Sequence, residues 1–533
     1  MKTFRILLPA ALSLMALAVS ANIFQPRQFD AAQKLHVAEQ IIENCYVDTL
    51  SVDKVVEQGI IAMLKELDPH STYTNAAETK ALTEPLNGNF SGIGVQFQIV
   101  QDTVYVIQAV VGGPSEKVGI IPGDRIVACN DTVIAGKNLQ NSEIMKRLRG
   151  PKGSVANLKV VRRSEPDTLS FRVIRADIPL YTVDAAYMAD PTTGYIKVAS
   201  FGQETTKEFK EALSKLKAQG MKNLIIDVQD NGGGYLSAAV EMAELFLPRD
   251  ASIVYTEGLH QPRQQYNAGV FKPDTKSRLV IMTNEYSASA SEILSGAVQD
   301  NDRGLIVGRR TFGKGLVQRP FPFPDGSMIR LTTAHYYTPS GRSIQKPYTR
   351  GESEDYAKDI HNRYEHGEFY SLDSIRVDST QVYSTLLHGR KVYGGGGILP
   401  DLFVPADTTG INKYFRELRA KNVINQFVVD YVENNRSNLK QTYKTEDDFI
   451  KYFTVTPEMI TDFINLGEKL GVEPDTTAFK ESEPYIAGNI KGLIGRDLFT
   501  PSTYYRVFNP LNPVYRRALD LINDPKRYNS LLQ

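Results

Sequence analysis

Residues 30 to 84 carry apolar positions at helical intervals. Leu35, Ala38, Ile41, Ile42 and Cys45 form one set, and Val55, Val56, Ile60, Met63, Leu64 and Leu67 form a second, which predicts two amphipathic helices. Asp68-Pro69-His70 ends the second helix, because a residue before proline resists the α region. From 85 to 178 the period changes. Short β-branched runs at 104–111, 125–128, 157–161 and 169–174 alternate with glycine turns and predict a compact β-rich module. From 180 to 409 strands and helices alternate: 194–198, 224–228, 279–283 and 305–307 read as strands, and 205–219 as an amphipathic helix. That order is the mark of an α/β domain, so the chain reads as a multidomain α/β protein. Residues 410–533 return to helical spacing, interrupted by prolines and rich in Tyr and Asn, and carry no assignable chemistry.

At the N-terminus, Lys2 and Arg5 precede a short apolar run at 6–19 and the small residues Val19-Ser20-Ala21. The pattern predicts a signal peptide over 1–21, since the run is short for a membrane span of about 20 residues. The rest of the chain is then exported, to the periplasm of a bacterium, and is membrane-anchored if the signal is left uncleaved. Lys plus Arg and Asp plus Glu both number 61, so no charge excess advertises nucleic acid as a partner. Two cysteines, Cys45 and Cys129, cannot build a disulfide framework and are expected to be buried thiols. The sequence has no H-E-x-x-H and no Cys/His cluster, so no metal or other cofactor is expected.

Three segments can carry chemistry. After the strand at 279–283, Ser287-Ala-Ser289-Ala290-Ser-Glu292 opens a helix. A capping box of Ser289 with Glu292 accounts for it locally. A hydroxyl at such a turn is equally placed for nucleophilic attack, beside a helix N-terminus that favours developing negative charge. Gly308 to Gly315 approaches a phosphate-binding P-loop, but Gly315 stands where Ser or Thr belongs and a strand follows instead of a helix. Both departures set an NTPase aside. Lys314, set among glycines and apolar residues, loses its charge readily if buried, and a neutral amine can take a serine proton. Gln318, four residues on, would share its face on a strand and hold the amine in line. The third segment, Asp227 to Gly234, ends in three glycines before a helix at 235–247. It is either a tight turn or a set of unobstructed amides for an oxyanion. His70 and His335 read as structural, and Ser51-Val-Asp-Lys54, though it matches S-x-x-K, reads as a helix N-cap.

Taken in order, these segments resemble the carboxyl-terminal processing, or tail-specific, proteases over residues 35 to about 405. Leu67-Asp-Pro-His-Ser71, Gly88-Asn-Phe-Ser-Gly-Ile-Gly-Val95, Gly119-Ile-Ile-Pro-Gly-Asp-Arg-Ile126, Asp230-Asn-Gly-Gly-Gly234, Thr311-Phe-Gly-Lys-Gly315 and Gly394-Gly-Gly-Gly-Ile-Leu-Pro-Asp401 carry the resemblance. It implies a crotonase-like α/β peptidase domain at 180–409 with a PDZ domain at 85–178, an N-terminal helical region at 30–84 and a helical extension at 410–533. It further implies Ser289 as nucleophile, Lys314 as base, Gln318 as the residue orienting that base, and the amides of Gly233 and Ala290 as oxyanion donors. Ile93-Gly94-Val95 follows the pattern of a PDZ carboxylate loop, expected to take substrates with free, apolar C-termini; an ordinary turn with a bulge is the alternative. Two positions depart from the family: Gln229 stands where arginine is usual and Gly232 where proline is usual. The implied partners are protein or peptide substrates, with a homo-oligomer left open. The rival reading is a PDZ adaptor whose protease-like domain is inactive, against which the intact Ser289, Lys314 and Gln318 argue.

Overall fold

A computed structural model describes residues 30–533 apart from 164 and 270; the expected signal peptide lies outside the described residues. The chain forms two compact units, divided after Leu67. The first holds helices Ala31–Cys45 and Val52–Lys65. Asp30 caps one by accepting from Gln33 N at 2.8 Å. Ser51 caps the other by accepting from Lys54 N at 3.5 Å, which is the role read for its S-x-x-K match. Helix Ala31–Cys45 buries none of its residues, and Leu35 and Ile41 are 56% and 57% exposed. Cys45 is exposed as well, against the expectation of two buried thiols; only Cys129 is buried. Helical periodicity fixes which side chains share a face, not whether anything covers it.

In the second unit, a six-stranded sheet runs in the order Val183–Met188, Thr193–Val198, Asn223–Asp227, Arg278–Thr283, Leu305–Gly308, Leu402–Phe403. Its first pair is antiparallel and the others are parallel. Both faces are covered, which is why the strands read as unbroken apolar runs. Ile196, Leu224, Ile226 and Ile281 pack with helices Thr205–Ala218, Leu236–Glu244 and Ala290–Asp300. Tyr195, Ile225, Val280 and Met282 face the other way, onto Val514, Tyr515, Ala518, Leu521 and Ile522. The C-terminal helices Pro513–Ile522 and Pro525–Leu532 therefore complete the core of this sheet.

A second sheet is built on the long strand Met328–Tyr337. Leu316–Pro322, Ser252–Gly258 and Thr72–Thr74 all pair with it in antiparallel register. The β-rich module has its own sheet, Val95–Val100, Thr103–Ala109, Arg125–Cys129, Val155–Val161, Leu169–Ile174, with Val95–Val100 at an edge. This module rests on helix Val423–Thr442 of the extension: Val429 is buried with Val100, Tyr105 and Ile107, and Arg125 Nη2 donates to Glu433 Oε2 at 2.8 Å. No described helix is long and apolar enough to cross a membrane.

Candidate active site

The strand Arg278–Thr283 leads through a five-residue loop (284–288) into Ser289, the N-cap of helix Ala290–Asp300. The fold separates the three serines of this run. Ser287 Oγ donates to Val228 O and Ser291 Oγ to Asn231 O, each at 2.8 Å, and both side chains are fully buried. Ser289 is half-buried and lines a cleft of about 420 Å³. Its backbone sits at φ 56°, ψ −113°, a conformation that L-residues adopt only where the surroundings impose it.

Glu292 supplies much of that imposition. Its buried carboxylate accepts from Ser289 N at 2.8 Å and Lys314 N at 2.9 Å through one oxygen. The other oxygen accepts from Thr311 Oγ1 at 2.6 Å and Gly313 N at 2.7 Å. One side chain thus ties the serine turn to the lysine loop. Burial raises this carboxyl to about 7, while the four donors pull toward the ionised form.

Lys314 lines the same cleft. Burial foremost, then the charge of Arg330, lowers its amine to about 8. Its Nζ donates to Gln318 Oε1 at 3.0 Å, and Gln318 Nε2 donates to the backbone carbonyl of His70. That second bond fixes the amide with its oxygen toward the amine. The shared-face expectation needs amending. Lys314 precedes the strand Leu316–Pro322, whose register against its partner shifts between Val317 and Gln318, so reach along a loop brings the pair together, not strand alternation. Among the described residues no hydrogen bond joins Lys314 Nζ to Ser289 Oγ.

Tyr336 is not singled out by the sequence, and His70 reads there as structural. Tyr336 OH donates to Lys314 O and lies 3.3 Å from Ser289 O. His70 is held by Asp68, whose Oδ1 accepts from His70 N and Ser71 N at 2.9 Å. Its ring meets Tyr356 OH at 2.9 Å. Burial foremost, then Lys314, lowers its pKa to about 4 and keeps it neutral; what His70 lends the site is its carbonyl.

Gly232, Gly233 and Gly234 of the glycine loop line the same cleft. A Cβ on Gly233, at φ 102°, would lie 2.8 Å from Ala288 O and from Ser289 Cβ, so only glycine fits. Its N–H donates to Asn231 Oδ1 at 2.8 Å, whereas the Ala290 N–H, at the first helical position, has no intrahelical acceptor. Where the family usually has arginine, Gln229 Oε1 accepts from Asn512 Nδ2 of the extension at 3.1 Å. Both line a larger cavity of about 810 Å³ that contains neither Ser289 nor Lys314.

In the β-rich module Ile93 is buried, and Gly94 has φ 74°. The Ile93 carbonyl accepts from Ser115 N and Oγ, at 3.1 and 2.6 Å, and the Gly94 carbonyl from Val110 N at 3.0 Å. In a trans peptide the N–H points opposite to the C=O, so the Gly94 and Val95 amides turn away from the residues that hold those carbonyls. Among the described residues no group of three or more His, Cys, Asp or Glu is placed to hold a metal.

Models of peptidase family S41 and of the PDZ domain match residues 192–356 and 91–173, and a family of unknown function matches 414–500. The carboxy-terminal processing protease CtpB of Bacillus subtilis is 34% identical over 322 residues, 59% of this chain and 66% of that protein. CtpA of the same organism is 32% identical, covering 61% of this chain and 70% of that protein. A carboxy-terminal-processing protease of Bartonella bacilliformis is 31% identical, covering 64% and 78%. The peptidase match falls on the sheet and loops that carry Ser289 and Lys314, and the chain belongs to the carboxy-terminal processing proteases of peptidase family S41.

Proposed function

We propose that this chain is an exported serine endopeptidase that cleaves proteins near their C-terminal end through a Ser289–Lys314 dyad. The observation that carries the reading is the joint placement of Ser289 and a desolvated Lys314 in one cleft, the amine aligned by Gln318 and His70 O. Neutral Lys314 takes the Ser289 proton as Oγ bonds to the scissile carbonyl carbon. The resulting oxyanion is received by the Ala290 N–H and by the Gly233 N–H, which turns to it from Asn231 Oδ1. Collapse breaks the C–N bond, and the Lys314 ammonium protonates the leaving amine. Water then attacks the ester, giving its proton to Lys314; the C–O bond to Ser289 breaks, and the Lys314 ammonium returns a proton to Oγ, which regenerates Ser289 with a neutral amine.

The PDZ domain delivers the substrate. The amides of Gly94 and Val95 receive the terminal carboxylate, and the peptide adds as a strand along the edge Val95–Val100. The test is cleavage of an unstructured protein without nucleotide or metal, and of one peptide with its C-terminus free or amidated. Wild type is expected to cleave and to favour the free, apolar terminus. Retained cleavage by Ser289→Ala would sink the dyad, and indifference to amidation would remove the carboxylate loop.

A further inference from the structure

We propose that Arg330 binds a carboxylate of the substrate inside the cleft, so that the peptidase selects chains with an anionic group close to the scissile bond; this rests on the Ser289 reading above. Met328 and Arg330, two residues apart on the strand Met328–Tyr337, and Tyr336 farther along it all line the cleft. Lys314 and Arg330 are the cations on its wall, and no carboxylate lines it. Lys314 is the cation that has to shed its charge to act. Arg330 keeps its own, because a guanidinium stays protonated in proteins.

Among the described residues that charge has no counter-ion. Arg330 is partly buried, its Nε is buried without an acceptor, and among the described residues no carboxylate pairs with it. The two acids whose charge reaches the neighbouring Lys314 are committed elsewhere. Asp68 accepts from His70, Ser71 and Thr332, and Glu292 from its four donors. A partly desolvated guanidinium without a protein counter-ion gains from an arriving anion, and its planar fork matches a carboxylate bidentately. Leu86, Leu236, Ile293 and Leu316 give the wall apolar surface, which strengthens such a pair. The carboxylate comes from a Glu or Asp side chain of the substrate or from its C-terminus, and the experiment separates the two.

Two peptide pairs are used with the full-length protein. One pair is C-terminally amidated and differs by Glu against Gln beside the scissile bond; the other is uncharged internally and ends free or amidated. kcat/KM is measured for wild type and Arg330→Gln, and binding of the same fluorescently labelled peptides is measured on Ser289→Ala and on Ser289→Ala/Arg330→Gln. Removing the carboxylate is expected to cost wild type roughly ten- to a hundredfold, the range of a charge-assisted hydrogen bond, and to cost Arg330→Gln little. The pair that shows the loss names the source. A wild type that treats both pairs alike overturns the proposal even if Arg330→Gln does not fold. So does a preference that persists undiminished in Arg330→Gln, which assigns a terminal preference to the PDZ loop. Cleavage without preference leaves the dyad standing and removes this inference. Absence of cleavage, with an Arg330-dependent carboxylate preference in binding to Ser289→Ala, does the reverse.

Discussion

Replacing Lys314 by methionine should abolish activity and stabilise the protein at neutral pH. The lysine amine lies at about 8 in the fold against 10.5 unperturbed, chiefly because it is desolvated. The folded state therefore binds this proton less tightly than the unfolded chain, and stability rises with pH where the two differ. The penalty is full below about 8 and gone above about 10.5. A fall of that size corresponds to roughly 3 kcal/mol. Methionine removes the penalty and also the bond to Gln318, worth about 1 kcal/mol, leaving a net gain near 2 kcal/mol at pH 7. In a compact unit that spans Asp68–Gln533 that is a rise in Tm of roughly 2–4 °C. Scanning calorimetry at pH 7 and near pH 10.5 is the assay, with the advantage expected to shrink or reverse at the higher pH. Equal or lower stability at pH 7, or an advantage independent of pH, would refute the desolvated amine. In wild type the same value sets catalysis: about a tenth of the amine is neutral at pH 7, so kcat/KM should climb through about pH 8.

Glu292→Gln brings a side-chain NH₂ among four donors and should lower kcat at least tenfold with a smaller change in KM, read from steady-state kinetics; an unchanged kcat would show that the bridge does not position the dyad. Gly233→Ala places a methyl 2.8 Å from Ser289 Cβ in a backbone conformation alanine resists and should remove activity by a hundredfold or more, checked by cleavage assay alongside a melting curve. Val429→Asp buries a carboxylate against Val100, Tyr105 and Ile107, at a cost of several kcal/mol; the PDZ domain should undock, exposing the chain near 180 to limited proteolysis.

Local chemistry made most of the elements legible. The runs at 224–228, 279–283 and 169–174 emerge as strands Asn223–Asp227, Arg278–Thr283 and Leu169–Ile174, and the helix at 205–219 as Thr205–Ala218. Apolar runs bounded by turn residues declare themselves within a few positions. Ser289, Lys314 and Gln318 stand out as candidates because short motifs carry them, and the fold places all three on the wall of one cleft. What escaped depends on distant pairing. Thr72–Thr74 is a strand only because Met328–Tyr337 is there to receive it. The His70 carbonyl reaches Gln318 from 248 residues away, and the helical spacing of 513–522 did not say that the peptidase sheet lies beneath it. Asn231 competing for the Gly233 amide is a matter of side-chain rotation, which no motif records.

The central claim is that Ser289, activated by Lys314, attacks the scissile carbonyl. The most direct measurement is covalent trapping of the full-length protein with a fluorophosphonate probe, the adduct located by mass spectrometry of the digested chain across a pH series. One adduct is expected, on Ser289, forming faster as pH rises through about 8, absent from Ser289→Ala and at least a hundredfold slower in Lys314→Ala. A label on another residue, or peptide hydrolysis by Ser289→Ala at the wild-type rate, would contradict it.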